Sequence, residues 1–236
     1  MSDRFYCPDL TGDSATLDDA ESHHAAHVMR VSAGDNVTLF NGMGMTADAC
    51  VAEVGRRSVR LSILKCTQHE KPLASAYVTV AAAIPKGDRL KWMVEKLTEV
   101  GVDRFVPLIC ERSVVDPRTS KLQKLTATIV SASKQCGRNW LMQVTKPVTF
   151  SEVLDTSDKS DESITVAHPK SASRIPSDAT IRPQRQTLLI GPEGGFTENE
   201  IELAERRKTR FLSWPEGILR TETAAIVFAC LLINEP

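Results

Sequence analysis

Gly191-Pro192-Glu193-Gly194-Gly195 combines free backbone with one carboxylate, and it stands between an apolar run, Leu188-Leu189-Ile190, and a strong helix start. Adjacent glycines let a chain turn sharply and let a ligand approach the backbone closely. A loop at the carboxyl end of a strand, opening a helix, is where open α/β sheets bind ligands. The turn has no G-x-G-x-x-G pattern and no G-K-[ST] follows it, which disfavours nicotinamide and nucleotide enzymes of those types. On these residues alone an ordinary strand-to-helix connection remains open. His23 and His27 have the spacing that puts two imidazoles on one helix face, a possible metal pair. No third ligand stands nearby, so they read as surface or packing residues and no metal is expected. Cys7, Cys50, Cys66, Cys110, Cys136 and Cys230 are scattered without a C-x-x-C pair, which points to reduced thiols and a cytoplasmic protein rather than to zinc.

The elements that would hold these residues follow from periodicity and punctuation. Thr197 and Glu200 have the T-x-x-E spacing of a capping box, with Phe196 and Ile201 placed as a hydrophobic staple, so a helix should run from Glu198 to about Lys208. Tyr77 to Ile84 is a wholly apolar strand of the kind buried on both faces of a parallel sheet. Asp88 should cap a helix carrying Leu90, Met93, Val94 and Leu97 and ending at Gly101. Arg104–Ile109 is the next strand. Asp116-Pro117 should open a longer helix through Leu122, Leu125 and Ile129 to about Gly137. Ser151–Ser163 and Ser171–Arg185 read as polar connections, with a short strand, Ile164–Ala167, delivering His168-Pro169 to a loop. Phe211-Leu212 is a further strand, and the loop Ser213–Leu219 precedes a last helix, Thr221–Ile233, apolar nearly all round and therefore buried in the domain or a subunit interface. This alternation implies an α/β domain with a mainly parallel sheet.

The front of the chain differs. Val37–Phe40 before Asn41-Gly42 signals a hairpin, Val59–Leu64 alternates as a half-buried strand, and Asp18–Arg30 reads as a short helix between β segments. Small barrels of this kind often bind RNA, an inference from shape alone. Gln68–Pro72 reads as a linker.

With 236 residues, 42% hydrophobic and 25% charged, the chain has the composition of a globular protein of one large or two small domains. The net charge of −1 gives no global basic field, although a local basic face is compatible with it. Met1–Arg4 lacks the pattern of a signal peptide, and no apolar run is long enough to span a bilayer, so no membrane partner is expected.

Taken together, several separated segments resemble the ribosomal RNA small subunit methyltransferase E family of the SPOUT superfamily. The most specific are Gly191–Phe196 with Glu200-Ile201, and Ile218-Leu219-Arg220-Thr221-Glu222-Thr223-Ala224. Ile84–Arg89, Glu95–Val102, Glu111-Arg112-Ser113, Gln135–Asn139 and His168-Pro169 support them, as do Arg4-Phe5-Tyr6, His24, Val28-Met29-Arg30 and Asn41-Gly42 at the front. Two departures stand out. Where the family usually reads Leu-Gly-Pro-Arg before Ile-Leu-Arg, this chain has Trp214-Pro215-Glu216-Gly217, and Lys134 stands where an acid is common.

The resemblance implies a PUA-like β-barrel RNA-binding domain over 1–70 and a SPOUT-type α/β domain with a deep trefoil knot over 71–236. It implies a homodimer, S-adenosylmethionine as methyl donor, and the N3 atom of a uridine in the 16S rRNA of the assembled small subunit as acceptor. The cofactor pocket would be built by His168, Pro169, Ile190, Gly191, Pro192, Glu193, Gly194, Gly195, Leu212, Trp214, Gly217, Ile218 and Leu219. Uracil N3 is a poor nucleophile until its proton leaves, so a base or an anion-stabilising group is required. Arg220 is the candidate for stabilising the anion, and Glu222 or Glu193 for taking the proton. The structural alternatives are a helix-start role for Glu222 and an Arg220–Glu222 ion pair. Arg4, Arg30, Lys86, Arg89, Arg112 and Arg138 are candidate phosphate contacts. The rival readings are a non-catalytic RNA-binding or ribosome-assembly protein on the same fold, and a methyltransferase for another RNA base.

Overall fold

The computed structural model describes residues 3–71, 76–117, 122, 124–157, 162–169 and 184–234. It divides into two compact units, Met1–Pro72 with Ser133–Leu141, and Leu73–Ala132 with Met142–Pro236.

The first unit is built on a five-stranded sheet: β1 (Arg4–Tyr6), β2 (Ser14–Thr16), β3 (Asn36–Phe40), β4 (Met45–Val54) and β5 (Val59–Gln68), in the order β1-β3-β4-β5-β2. β1 runs parallel to β3 and the other pairs are antiparallel. Register shifts at Asp48/Ala49 and Val51/Glu53 are the kind of irregularity that bends a long hairpin. Alternate residues of these strands, among them Phe5, Leu39, Ala47, Ala49, Val51 and Leu61, form one buried core. The expected helix over Asp18–Arg30 is a short α-helix, α1 (Asp19–His23), capped by the Asp18 carboxylate, which accepts from the Glu21 N–H. It continues as a π-helical turn, His24–Met29, closed by Arg30 in the left-handed region at φ 57°. Lys134, one of the two departures from the family pattern, has its ammonium 2.7 Å from Glu21 Oε1, whose other oxygen accepts from the Tyr6 N–H.

The second unit is a parallel sheet. Its strands are β6 (Tyr77–Ala83), β7 (Arg104–Ile109), β8 (Gln143–Val144), β9 (Val148–Thr149), β10 (Glu162–Ala167), β11 (Arg185–Ile190) and β12 (Arg210–Leu212). Their order is β12-β10-β11-β6-β7-β8, with β9 also on β7, and every pair is parallel. The helices are α2 (Arg89–Val100), α3 (Leu125–Cys136, of which the residues up to Ala132 belong to this unit), α4 (Phe150–Ser157), α5 (Glu198–Arg206) and α6 (Thr221–Ile233). Ala81, Val106, Leu189 and Val166 on one face of the sheet pack with Phe150 and Leu154 of α4 and Ala204 of α5. The alternate residues Val80, Ala82, Leu188 and Ile190 are equally buried, and α6, packed on α2, lies against β6 and β11.

Two sequence expectations change. Asp88 does not cap α2 with its side chain: its own backbone is already helical (φ −76°, ψ −5°), whereas a capping side chain needs an extended residue. Ser151–Ser163 is not wholly a connection, because α4 occupies its first half. The overlooked signal is a second T-x-x-E: the Glu152 N–H donates to Thr149 Oγ1 and the Thr149 N–H to Glu152 Oε2. The short strands β2, β8 and β9 carry too little pattern to be read. The Ser171–Arg185 connection lies outside the described residues up to 183, as do 118–121 and 123 of the expected longer helix, which is described as α3.

Candidate active site

The carboxyl ends of three adjacent strands are level: Ala167 of β10 pairs with Ile190 of β11 on one side and Leu212 of β12 on the other. The loops that leave them are therefore neighbours, and they are the loops that carry the expected cofactor residues. After β10, the His168 N–H donates to the Leu212 carbonyl at 2.8 Å, tying the first loop to the third. After β11, the glycine turn closes with the Gly195 N–H donating to Pro192 at 2.8 Å, with Gly195 at φ 71°. Pro192 is buried, while Glu193 and Gly194 are exposed. The turn then enters α5 through a complete capping box between Thr197 and Glu200. After β12, Trp214, Gly217 and Ile218 are exposed, with Ile218 at 83% and Gly217 at φ 145°. Pro169 is also exposed and Leu219 half-buried.

α6 begins against this edge. The Thr221 hydroxyl donates to the Gly191 carbonyl at 3.1 Å and so joins the start of the last helix to the glycine turn. Arg220 is the N-cap residue; its side chain makes no capping bond, is exposed, and has no hydrogen bond or ion pair among the described residues. Glu222, in the first turn, is buried. Its Oε1 lies 3.5 Å from Arg89 Nη1, and its Oε2 is buried without a partner among the described residues. The Arg220–Glu222 pair considered from the sequence does not form.

Arg89 is the residue whose position the sequence did not reveal. Its Nη2 also lies 3.3 Å from Glu193 Oε1, and its Nε donates to the Lys86 carbonyl at 3.1 Å. One guanidinium thus spans both candidate acids. Arg112 is similarly committed, donating to the carbonyls of Gly194 at 3.0 Å and Phe196 at 3.4 Å. A Cβ on Gly194 would stand 3.4 Å from the Arg112 Cβ, an ordinary van der Waals contact, so the Arg112 side chain packs directly against the glycine turn. Beside Arg112, the Glu111 N–H donates to Glu200 Oε1 at 3.1 Å. Cys110 is buried in the same neighbourhood, where desolvation pushes its thiol up to about 12 and leaves it inert. The sequence signals for these links were the Ile84–Arg89 and Glu111–Ser113 segments, read as charge but acting as scaffold.

The other expected RNA contacts divide. Arg4 is committed within the first unit: its Nη2 donates to the Arg138 carbonyl at 3.0 Å and to Asn139 Oδ1 at 2.5 Å, with its guanidinium over the Phe40 ring. Arg138 is half-buried just past α3. Arg30 and Lys86 are exposed.

A family model described as an RNA methyltransferase domain matches residues 71–233, and one described as an RNA methyltransferase PUA domain matches 17–64. Ribosomal RNA small subunit methyltransferase E of Bacillus subtilis is 31% identical over 87% of this chain and 84% of its own length. The protein of that name from Mycobacterium tuberculosis is 30% identical over 94% of this chain and 88% of its own length. The chain belongs to the ribosomal RNA small subunit methyltransferase E family. A member of that family from Neisseria gonorrhoeae, solved with S-adenosylmethionine bound, superposes with a TM-score of 0.88 at 28% identity, covering 98% of this chain and 97% of its own. A methyltransferase from Legionella pneumophila, also holding S-adenosylmethionine, gives a TM-score of 0.88 at 30% identity over the same shares.

Proposed function

We propose that this chain methylates the N3 atom of a uridine in the 16S rRNA of the small ribosomal subunit, with S-adenosylmethionine as donor. The observation that carries the reading is the junction of the Gly191–Gly195 turn, the α6 start and Arg89, which gathers backbone, one open guanidinium and two carboxylates at the strand ends. The chain's residues suit the cofactor. Glu222 Oε2 is a buried acceptor without a donor, which costs about 1–3 kcal/mol until a ligand or substrate donor reaches it. A Cβ at Gly195 or Gly217 would project into open space, leaving backbone at both turns accessible to a bound molecule. We assign cofactor binding to His168, Pro169, Ile190–Gly195, Leu212, Trp214 and Gly217–Leu219.

Bound S-adenosylmethionine supplies an electrophilic methyl group. The protein's part is to hold uracil in line and to manage its proton. Arg220, a planar fork of donors unpartnered among the described residues, stabilises the negative charge that spreads to the uracil oxygens as N3 loses its proton. Glu222 receives that proton on Oε2, with Arg89 holding the other oxygen. Contacts of catalytic groups in a free enzyme tighten only once substrate is bound. Glu193 tethers Arg89 from the solvent side. Lys86, Arg30 and Arg138 remain candidates for the phosphate backbone, whereas Arg4, Arg89 and Arg112 are assigned to internal support.

Two further features belong to this reading. The trefoil knot is supported by the crossover from β11 past β10 to β12 and by the packing of α6 back onto β6 and β11. A homodimer is supported by apolar side chains left uncovered on the packed pair α2 and α6, with Trp92 at 46% and Leu231 at 37% exposure. Cofactor choice is tested by thermal unfolding with added ligands. S-adenosylmethionine at 100 times its dissociation constant should stabilise by about 2.7 kcal/mol, and NAD or ATP should not. Protection by NAD or ATP alone would overturn the assignment.

A further inference from the structure

The first unit contains a cleft of about 180 Å³ between the helical segment Asp19–Met29 and the turn Gly55–Ser58 that joins β4 to β5. Its donors are Arg56 and Arg57 from the turn and His23 and His27 from successive turns of the helical segment. The two imidazoles lie with ring centroids 4.7 Å apart. None of these four side chains makes a hydrogen bond or ion pair among the described residues, in contrast to Arg60 on the adjoining strand, which is paired with Glu53. Among the described residues the only carboxylate on the lining is Asp19, so two guanidiniums against one acid leave a formal charge of +1 before either histidine is protonated. The polar Ser22 in the floor is already used, its hydroxyl donating to the Leu17 carbonyl and accepting from the Val59 N–H. What remains free is a set of N–H donors around a concavity. Forked guanidinium donors and imidazole N–H groups in this arrangement match the oxygens of a phosphate group.

We infer that this cleft is a docking site for a backbone phosphate of the RNA substrate, gripped by Arg56 and Arg57 with His23 and His27 as further donors. The inference rests on the RNA reading proposed for this chain. The source is a polynucleotide rather than a free anion because the same helical segment ends in exposed Val28 and Met29 and in Arg30, at 59% and 40% exposure for the first two. Two exposed apolar residues and a further cation, directly following the cleft-lining His27 in the chain, suit an RNA that continues beyond one phosphate. Such contacts position the RNA without reading its sequence.

The test uses the full-length protein with small ribosomal subunits lacking the modification, and two double variants, Arg56→Ser with Arg57→Ser and His23→Gln with His27→Gln. Binding is measured over a potassium chloride series, beside the KM for the subunit and the affinity for S-adenosylmethionine. The arginine pair should weaken subunit binding about tenfold and lower the salt slope by about one for each phosphate no longer neutralised. The histidine pair should weaken it less. The KM for the subunit should rise in step, while the affinity for S-adenosylmethionine stays. Normal wild-type binding with unchanged affinity and slope in both variants would overturn the inference. So would inorganic phosphate that competes at concentrations too low to act through ionic strength, which would give the cleft to a free anion. Failure of the wild-type protein to bind subunits at all would remove the proposed function, and this inference with it.

Discussion

Glu193 and Glu222 share Arg89 but not an environment. The Glu193 side chain is 38% exposed and that of Glu222 7%, so solvent screens the first and not the second. A carboxylate with one oxygen held by a guanidinium and the other buried and unsatisfied is placed to accept a proton from a bound group. The exposed partner contributes little beyond orientation. Glu222→Gln keeps the volume and removes the acceptor charge, so the maximal rate of methyl transfer should fall about 10²- to 10⁴-fold with S-adenosylmethionine still bound. Glu193→Gln should change it by less than about tenfold. Steady-state methylation with both variants checks this, and the reverse ranking would transfer the role to Glu193. The sequence left these two acids undecided because both lie in motif segments. Only the fold shows which of them is buried, and that Arg89, more than a hundred residues away in sequence, lies against both.

The glycine turn and α5 form the element on which the proposed pocket depends. Thr197 and Glu200 satisfy one another's backbone donors, and Glu200 also accepts from the Glu111 N–H, so the capping box fixes a second loop. Thr197→Ala should cost about 1 kcal/mol of stability. Because the frayed end is the end of the glycine turn, affinity for S-adenosylmethionine should fall as well. Denaturant unfolding and cofactor titration check the pair of effects, and a stability loss with unchanged cofactor affinity would uncouple the cap from the site. This element was legible in advance, since T-x-x-E followed by an apolar stripe is local information. The same signal at Thr149–Glu152 was hidden in a stretch rich in serine and aspartate. The expected Asp88 cap failed for a related reason: residue type suggests a cap, but the backbone angles decide it. Arg4, Arg89 and Arg112 show the matching limit for charges, because an arginine that supports a turn and one that binds phosphate look alike in sequence.

At the scale of the molecule, the parallel sheet was readable from the buried runs Tyr77–Ile84 and Leu188–Ile190, whereas the strand order was not. Order is set by long-range pairing, and the adjacency of β10, β11 and β12 is what brings three separate loops to one edge. The all-apolar character of α6 was likewise plain, but periodicity gives no account of what covers its outer side chains. If a second copy does, light scattering should give about twice the chain mass of 25.9 kDa, and a concentration-independent monomer would contradict it. Small ribosomal subunits from a strain lacking this protein are incubated with it and labelled S-adenosylmethionine, and the RNA is digested to nucleosides and analysed by mass. Label should appear in 16S rRNA as 3-methyluridine and be lost with Arg220→Ala. Label in a different nucleoside, or none under conditions where the cofactor binds, would contradict the proposed function.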